Sequence, residues 1–176
     1  MWTVLNEEWE IKSTFLDVDD ELLINLKNDI KQIGDCLFGT TNLSGLMTDW
    51  KTKTESFLLL ENKISKVLPE LDKNINHHDH WGAIYRDDDY AKPHNHAGED
   101  DSKPDLSFTF YIEAPEGSGE LYFPDCDLTI IPEKKMLVTF SPLAYHQVLP
   151  NSVSGIERIL TAGNVDFSVD NVQKIR

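Results

Sequence analysis

The sequence predicts a mostly β domain of the sandwich or jelly-roll kind with two amphipathic helices ahead of it, and three observations lead there. Short apolar stretches of period-2 character recur from Trp81 to Val165, parted by Pro, Asn and Gly. Before them the periodicity is helical in two places. At 176 residues the chain can fill one core and is short for two domains. We therefore expect a single domain: residues 1–75 form an N-terminal strand and helical elaboration, 76–168 the β core and 169–176 a tail.

In chain order, Trp2, Val4, Trp9, Ile11, Phe15 and Leu16 alternate loosely and suit one or two edge strands. From Asp19 the spacing changes. Leu22, Leu23, Leu26, Ile30 and Ile33 recur helically, Asp19 or Asp20 can cap the start and Gly34 ends it. After the turn-rich Gly39–Gly45, Thr52-Lys53-Thr54-Glu55 offers a capping box for a second helix with Phe57, Leu60, Ile64, Val67 and Leu68 on one face, ended by Pro69. Both helices are expected to buttress the sheet. His77, His78 and His80 read as a solvated turn. Strands then follow at His80–Tyr85, Leu106–Ile112 (half-buried by its alternation), Glu120–Phe123, Leu128–Ile131, Met136–Phe140, His146–Val148 and Arg158–Ala162.

Charge and cysteine content exclude several function classes. Lys and Arg total 16 against 31 Asp and Glu, a formal net charge of -15, so the field repels phosphate backbones and disfavours nucleic acid as a partner. Cys36 and Cys126 lack CxxC-type spacing, which argues against a zinc ribbon or a disulfide scaffold; they read as ordinary apolar fill. No leader-like segment and no apolar run of about 20 residues is present, so a cytoplasmic location and no membrane partner are expected.

The chemistry concentrates at two poles. Pro93-His94-Asn95-His96 sets two imidazoles at i and i+2, which point to one side of a strand end, and His146 lies on a later strand that can face them. A mononuclear Fe(II) oxygenase needs three protein ligands on one face of the ion, commonly two histidines and a carboxylate. Arg158, flanked by Ile159 and Leu160, belongs to a strand expected to be buried; there it requires an anion, for which a bidentate carboxylate is the natural partner. 2-Oxoglutarate has one carboxylate for the metal and one for such an arginine. The runs Asp87-Asp88-Asp89 and Glu99-Asp100-Asp101 read as solvated loops that flank the mouth; if they line it, they would favour a cationic substrate.

The stretch Trp81–Val165 resembles the double-stranded β-helix core of 2-oxoglutarate/Fe(II)-dependent dioxygenases of the prolyl-hydroxylase type. In particular it resembles small oxygenases with an H-x-H proximal pair. The likeness is carried by Pro93-His94-Asn95-His96, Phe110-Tyr111-Ile112, Gly117-Ser118-Gly119-Glu120-Leu121, Phe140-Ser141-Pro142, His146-Gln147-Val148-Leu149-Pro150 and Glu157-Arg158-Ile159. It implies a jelly roll with Fe(II) and 2-oxoglutarate as cofactors, O2 as co-reactant, and hydroxylation of a second substrate such as a peptidyl proline or a small molecule. By the same resemblance His94 and His146 bind the metal, Arg158 holds the distal carboxylate of 2-oxoglutarate, Tyr111 supports that carboxylate and Tyr85 is a further contact. The departure is His96, where most of the family has a carboxylate. Either the metal site is His94, His96 and His146, or an acid among Glu99, Asp100 and Asp101 supplies the third ligand.

Two other readings compete with the oxygenase. One is a cupin-like metal-binding or structural module without turnover; the other is a histidine-ligated dioxygenase that uses no 2-oxoglutarate. Arg158 separates the first from an enzyme, because an inert barrel has no use for a buried unpaired cation.

Overall fold

The computed structural model describes residues 1–33, 42–68, 74–97 and 103–168. In chain order they form β1 (Thr3–Asn6), β2 (Ile11–Phe15), α1 (Asp20–Ile33), β3 (Leu46–Met47), α2 (Glu55–Ser65), β4 (Asn74–Arg86), β5 (Ala91–His94), β6 (Leu106–Glu113), β7 (Leu121–Phe123), a 3-10 turn (Pro124–Cys126), β8 (Leu128–Ile130), β9 (Met136–Phe140), β10 (His146–Val148) and β11 (Glu157–Ser168). The larger sheet runs β1-β2-β9-β6-β11-β4-β3, the smaller β5-β10-β7-β8. This is the double-stranded β-helix of the jelly-roll class, with two helices packed on its larger sheet.

Alternation along the strands of the larger sheet divides the interior into two cores. On one face Ile84, Phe108, Phe110, Ile112, Leu137, Ile159 and Val165 pack with Leu22, Leu23, Leu26 and Ile30 of α1 and Phe57, Leu60 and Ile64 of α2. Each such side chain taken fully out of water contributes about 1.5–3 kcal/mol. On the other face Tyr85, Tyr111, Val138, Phe140 and Leu160 meet Ala91, Leu121, Phe123 and Ile130 of the smaller sheet. β6 is therefore buried on both faces from Ser107 to Ile112, not half-buried as its alternation suggested, because the helices cover the side that would otherwise be wet.

The helices begin where the caps put them. Asp19 Oδ1 accepts from the Leu22 amide at 2.8 Å. α2 is capped by Thr54, whose hydroxyl accepts from the Phe57 amide at 3.4 Å. The capping box expected from Thr52 does not form, since the Thr52 hydroxyl is turned to Thr48 Oγ1 at 2.7 Å and the Asp49 carbonyl at 2.8 Å. The expected stops at Gly34 and Pro69, Cys36 and the tail at 169–176 lie outside the described residues. Cys126 is partly buried beside the 3-10 turn.

Two strands are longer than their apolar pattern. β4 starts at Asn74 rather than His80, and β11 continues to Ser168 rather than ending at Ala162, because the two strands pair with each other from Glu157↔Arg86 to Ser168↔Asn74. His77, His78 and His80 are thus strand residues and not a solvated turn. His80 is fully buried against Phe57 and Phe108, and its Nδ1–H donates to Glu61 Oε1 at 3.1 Å. The Asp87-Asp88-Asp89 run is also more than a solvated loop. Asp87 Oδ1 accepts from Ser154 Oγ at 3.0 Å and the Gly155 amide at 2.7 Å, while Asp89 accepts from Ser44 Oγ at 3.0 Å and the Arg86 amide at 2.9 Å. No helix among the described residues is long and apolar enough to cross a membrane.

Gly163 of β11 lies where the β4 backbone and the Phe108 ring of β6 both come close. A Cβ there would sit 2.5 Å from the Asp79 carbonyl oxygen and 2.7 Å from the Phe108 ring. Gly163→Ala is expected to lower stability by about 1–3 kcal/mol. A thermal melt should show a drop of several degrees, and a midpoint equal to wild type would contradict this packing.

Candidate metal centre

β10 pairs antiparallel with β5 so that His146 stands directly opposite His94. His96 follows beyond the end of β5 and is held there by its amide, which donates to the Pro142 carbonyl at 2.8 Å. The three rings converge: centroids are 4.4 Å apart for His94 and His146, 5.0 Å for His96 and His146, and 5.6 Å for His94 and His96. One ring nitrogen from each lies within 4.8 Å of the others, the only such cluster of histidine, cysteine and acidic side chains among the described residues.

Hydrogen bonding decides which nitrogens converge. His94 Nδ1 lies 2.7 Å from the Lys92 carbonyl and His146 Nδ1 lies 3.0 Å from the Ala144 carbonyl. A carbonyl only accepts, so each Nδ1 carries the proton and each Nε2 keeps its lone pair. His96 Nδ1 lies 2.7 Å from Asn164 Oδ1 and 2.8 Å from Ser107 Oγ. The Ser107 hydroxyl itself donates to Asn164 Oδ1 at 2.8 Å, which leaves its lone pairs to His96 and gives that ring the same tautomer. Burial lowers the pKa of all three rings: that of His94 falls, that of His96 falls to about 4, and that of His146 falls well below the usual value, the last also by proximity to the other two. At neutral pH the cluster is three uncharged donors.

The histidines line a cavity of about 570 Å³ whose walls include Leu121, Phe140, Val148, Leu160 and Ala162. Arg158 reaches it from β11 and is 1% exposed. One guanidinium nitrogen, Nη1, donates to the Gly119 carbonyl, while Nε and Nη2 have no hydrogen-bond partner. A Cβ at residue 119 would collide with the Leu149 carbonyl, so a glycine is needed for this approach. The Arg158 guanidinium also lies over the Tyr85 ring, 4.4 Å from its centroid. Tyr85 is the cross-strand partner of Arg158, and Tyr111 pairs with Leu160 on the other side of β11. Burial raises both phenol pKa values, that of Tyr111 to about 12, so both hydroxyls stay protonated as donors.

His94, His96, His146, Arg158, Tyr111 and Tyr85 therefore all line one cavity. The acidic alternatives Glu99, Asp100 and Asp101 lie outside the described residues. Sequence reasoning missed Asn164, Ser107, Asp79 and the aromatic pair Trp50–Trp81, whose rings meet edge-on at 4.6 Å beside the cavity. For Asn164 a signal existed. It shares the parity of Arg158, Leu160 and Ala162, and a polar residue on an inward-facing row needs a partner.

No protein-family model and no curated protein matches the sequence. Solved structures do match the fold. The viral collagen prolyl hydroxylase of Paramecium bursaria Chlorella virus-1, in its 2OG complex, superposes with a TM-score of 0.70 over 90% of this chain and 96% of that one, at 21% identity. A Pseudomonas putida prolyl-4-hydroxylase gives 0.64 over 90% and 92%, at 16% identity. HygX from Streptomyces hygroscopicus, with nickel and 2-oxoglutarate bound, gives 0.62 over 90% and 83%, at 11% identity. The family resemblance read from the sequence holds at the level of the fold.

The depressed histidine pKa values set a pH dependence. Burial holds His77 and His96 near 4 in the folded chain, against about 6.5 unfolded. Between these values the unfolded state binds protons that the folded state refuses, so this stability is fully present above about pH 6.5 and is lost as pH falls toward 4. Urea unfolding of metal-free protein should give a lower stability at pH 5.0 than at pH 7.5. Equal values would contradict neutral, desolvated rings.

Proposed function

We propose that the protein is an Fe(II)- and 2-oxoglutarate-dependent oxygenase that hydroxylates a second substrate. The observation that carries this reading is the Arg158 guanidinium, buried with two nitrogens unpartnered, in the same cavity as three neutral imidazoles. An isolated buried cation is unfavourable by several kcal/mol unless an anion meets it. The metal-like cluster shares that cavity, so the ligand that fits is one with a metal-binding end and a free carboxylate. 2-Oxoglutarate is such a ligand, and solved structures of this fold hold it, in one case beside nickel.

In this reading His94, His96 and His146 hold the ion through Nε2. An all-imidazole set suits Fe(II) among other divalent first-row ions. Because burial already keeps the rings neutral, no proton has to leave them at neutral pH. Arg158 pairs with the distal carboxylate by charge-assisted hydrogen bonds, and Tyr111 and Tyr85, which line the same cavity with protonated hydroxyls, support that carboxylate. Leu121, Phe140, Val148, Leu160 and Ala162 give the cavity an apolar wall beside the histidines. When bound, iron with 2-oxoglutarate and O2 supplies oxidative decarboxylation coupled to hydroxylation. The prime substrate in this reading is a peptidyl proline or a small molecule, and the half-exposed Trp50 at the cavity offers it an aromatic surface. A cupin-like module without turnover would leave Arg158 without a purpose, and the acidic chain leaves nucleic acid outside this reading.

Two sets of variants test the site. His146→Ala and His96→Ala are expected to abolish stoichiometric Fe(II) binding with the fold retained, whereas Glu99→Ala, Asp100→Ala and Asp101→Ala keep it; the reverse pattern would move the third ligand to an acid. Calorimetric titration of 2-oxoglutarate into the anaerobic Mn(II) protein tests the arginine. Arg158→Ala should weaken binding by roughly 2–5 kcal/mol, more than tenfold in affinity, and Arg158→Lys should recover only part, since it lacks the planar fork. The same affinity in all three proteins would remove Arg158 from the cosubstrate site, and no binding to wild type would favour the module without turnover.

A further inference from the structure

Resting on the ion site proposed above, we propose that Asn164 is a positioning residue that fixes His96 as an Nε2 donor and couples it to the carboxylate of Asp79. The placement comes from the sheet. Asn164 of β11 is paired with Asp79 of β4 on one side and with Ser107 of β6 on the other, so the three residues form a row across adjacent strands. Asn164 Oδ1 accepts from His96 Nδ1 at 2.7 Å, and its amide donates from Nδ2 to Asp79 Oδ2 at 3.3 Å. The exposed ring of His78 lies beside the same Asp79 oxygen, at 3.1 Å. Asp79 itself is mostly shielded, with a side-chain exposure of 19%.

His96 is unlike its two companions in this respect. His94 and His146 are locked by backbone carbonyls of Lys92 and Ala144, each two residues upstream, which no side-chain change can alter. Only His96 is locked by side chains. It is also the ligand at the position where a carboxylate would otherwise bring negative charge to the ion, and three neutral imidazoles bring none. An acceptor on Nδ1–H orients the ring and raises the basicity of Nε2, more strongly as the acceptor gains anionic character. One amide group separates His96 from Asp79. Asn164 polarised by that carboxylate is a better acceptor than an amide facing water.

The relay is read in two ways, one of which needs no metal. Nitrogen-15 NMR of the metal-free protein should show His96 in the Nδ1–H tautomer, and Asn164→Ala should shift it toward a mixture, because only Ser107 Oγ remains. Titration with Co(II) should give about a 10- to 100-fold weaker Kd for Asn164→Ala with an altered ligand-field spectrum, and a smaller loss for Asp79→Asn, which keeps the shape and removes the charge. The exchanged pair Asn164→Asp with Asp79→Asn puts the carboxylate next to His96 and should recover the wild-type Kd. Thermal melts of the metal-free variants verify that each is folded. An Asn164→Ala protein with wild-type tautomer, Kd and spectrum overturns the relay, as does an exchanged pair no better than Asn164→Ala. If wild type shows the Nδ1–H tautomer and binds no Co(II), the ion site itself is overturned instead.

Discussion

The register of β11 between β4 and β6 is the constraint on which the site depends. Its inward row, Arg158, Leu160, Ala162 and Asn164, lines the cavity from the anion-seeking end to the histidine end. The neighbours set across from that row supply Tyr85 and Asp79 on one side, Tyr111 and Ser107 on the other. The outward residues Ile159 and Val165 of the same strand anchor it to the helix-covered core. A slip of one residue would exchange the two rows and place Arg158 among leucines. Register is thus protected by the hydrophobic core, and the core's stability is what keeps the polar constellation in place.

This arrangement leaves buried polar groups whose cost to the fold a ligand of the proposed kind would offset. A guanidinium with two unpaired nitrogens opposes folding by an amount comparable to a sizeable share of the 5–15 kcal/mol by which a domain is stable. Three desolvated imidazoles likewise gain nothing until their lone pairs are used. Ligands that bind only the folded chain stabilise it by mass action, about 2.7 kcal/mol at a hundredfold excess over Kd. The surface ion pairs, such as Lys27 with Glu113 at 2.6 Å, tie α1 to the sheet but are solvent-screened and contribute little.

Much of this was legible in the sequence because the relevant elements are simple. β9 and β10 carry the boundaries their patterns predict, and α1 follows its apolar spacing. The ordered combination of His94-x-His96, His146 and Arg158 located the cavity. What was hidden has physical causes. The polar start of β4, with His77, His78 and Asp79, does not resemble a strand, because its stability comes from pairing with β11 and not from its own composition. Thr52 lost its capping role to hydrogen bonds with Thr48 and Asp49 in the turn just ahead of it, which compete with the cap for the same hydroxyl. Asn164 and Asp79 belong to no motif; they meet only through a strand pairing between residues 85 apart in the chain.

In the proposed reading one cavity holds a metal ion on three histidines and a dicarboxylate on Arg158. A crystal structure of the anaerobic Mn(II) complex with 2-oxoglutarate measures this most directly. The account predicts one ion bound by Nε2 of His94, His96 and His146, with the distal carboxylate on Nε and Nη2 of Arg158, the two nitrogens that have no protein partner. An ion held by a different ligand set, or a 2-oxoglutarate whose carboxylates both lie away from Arg158, would contradict it.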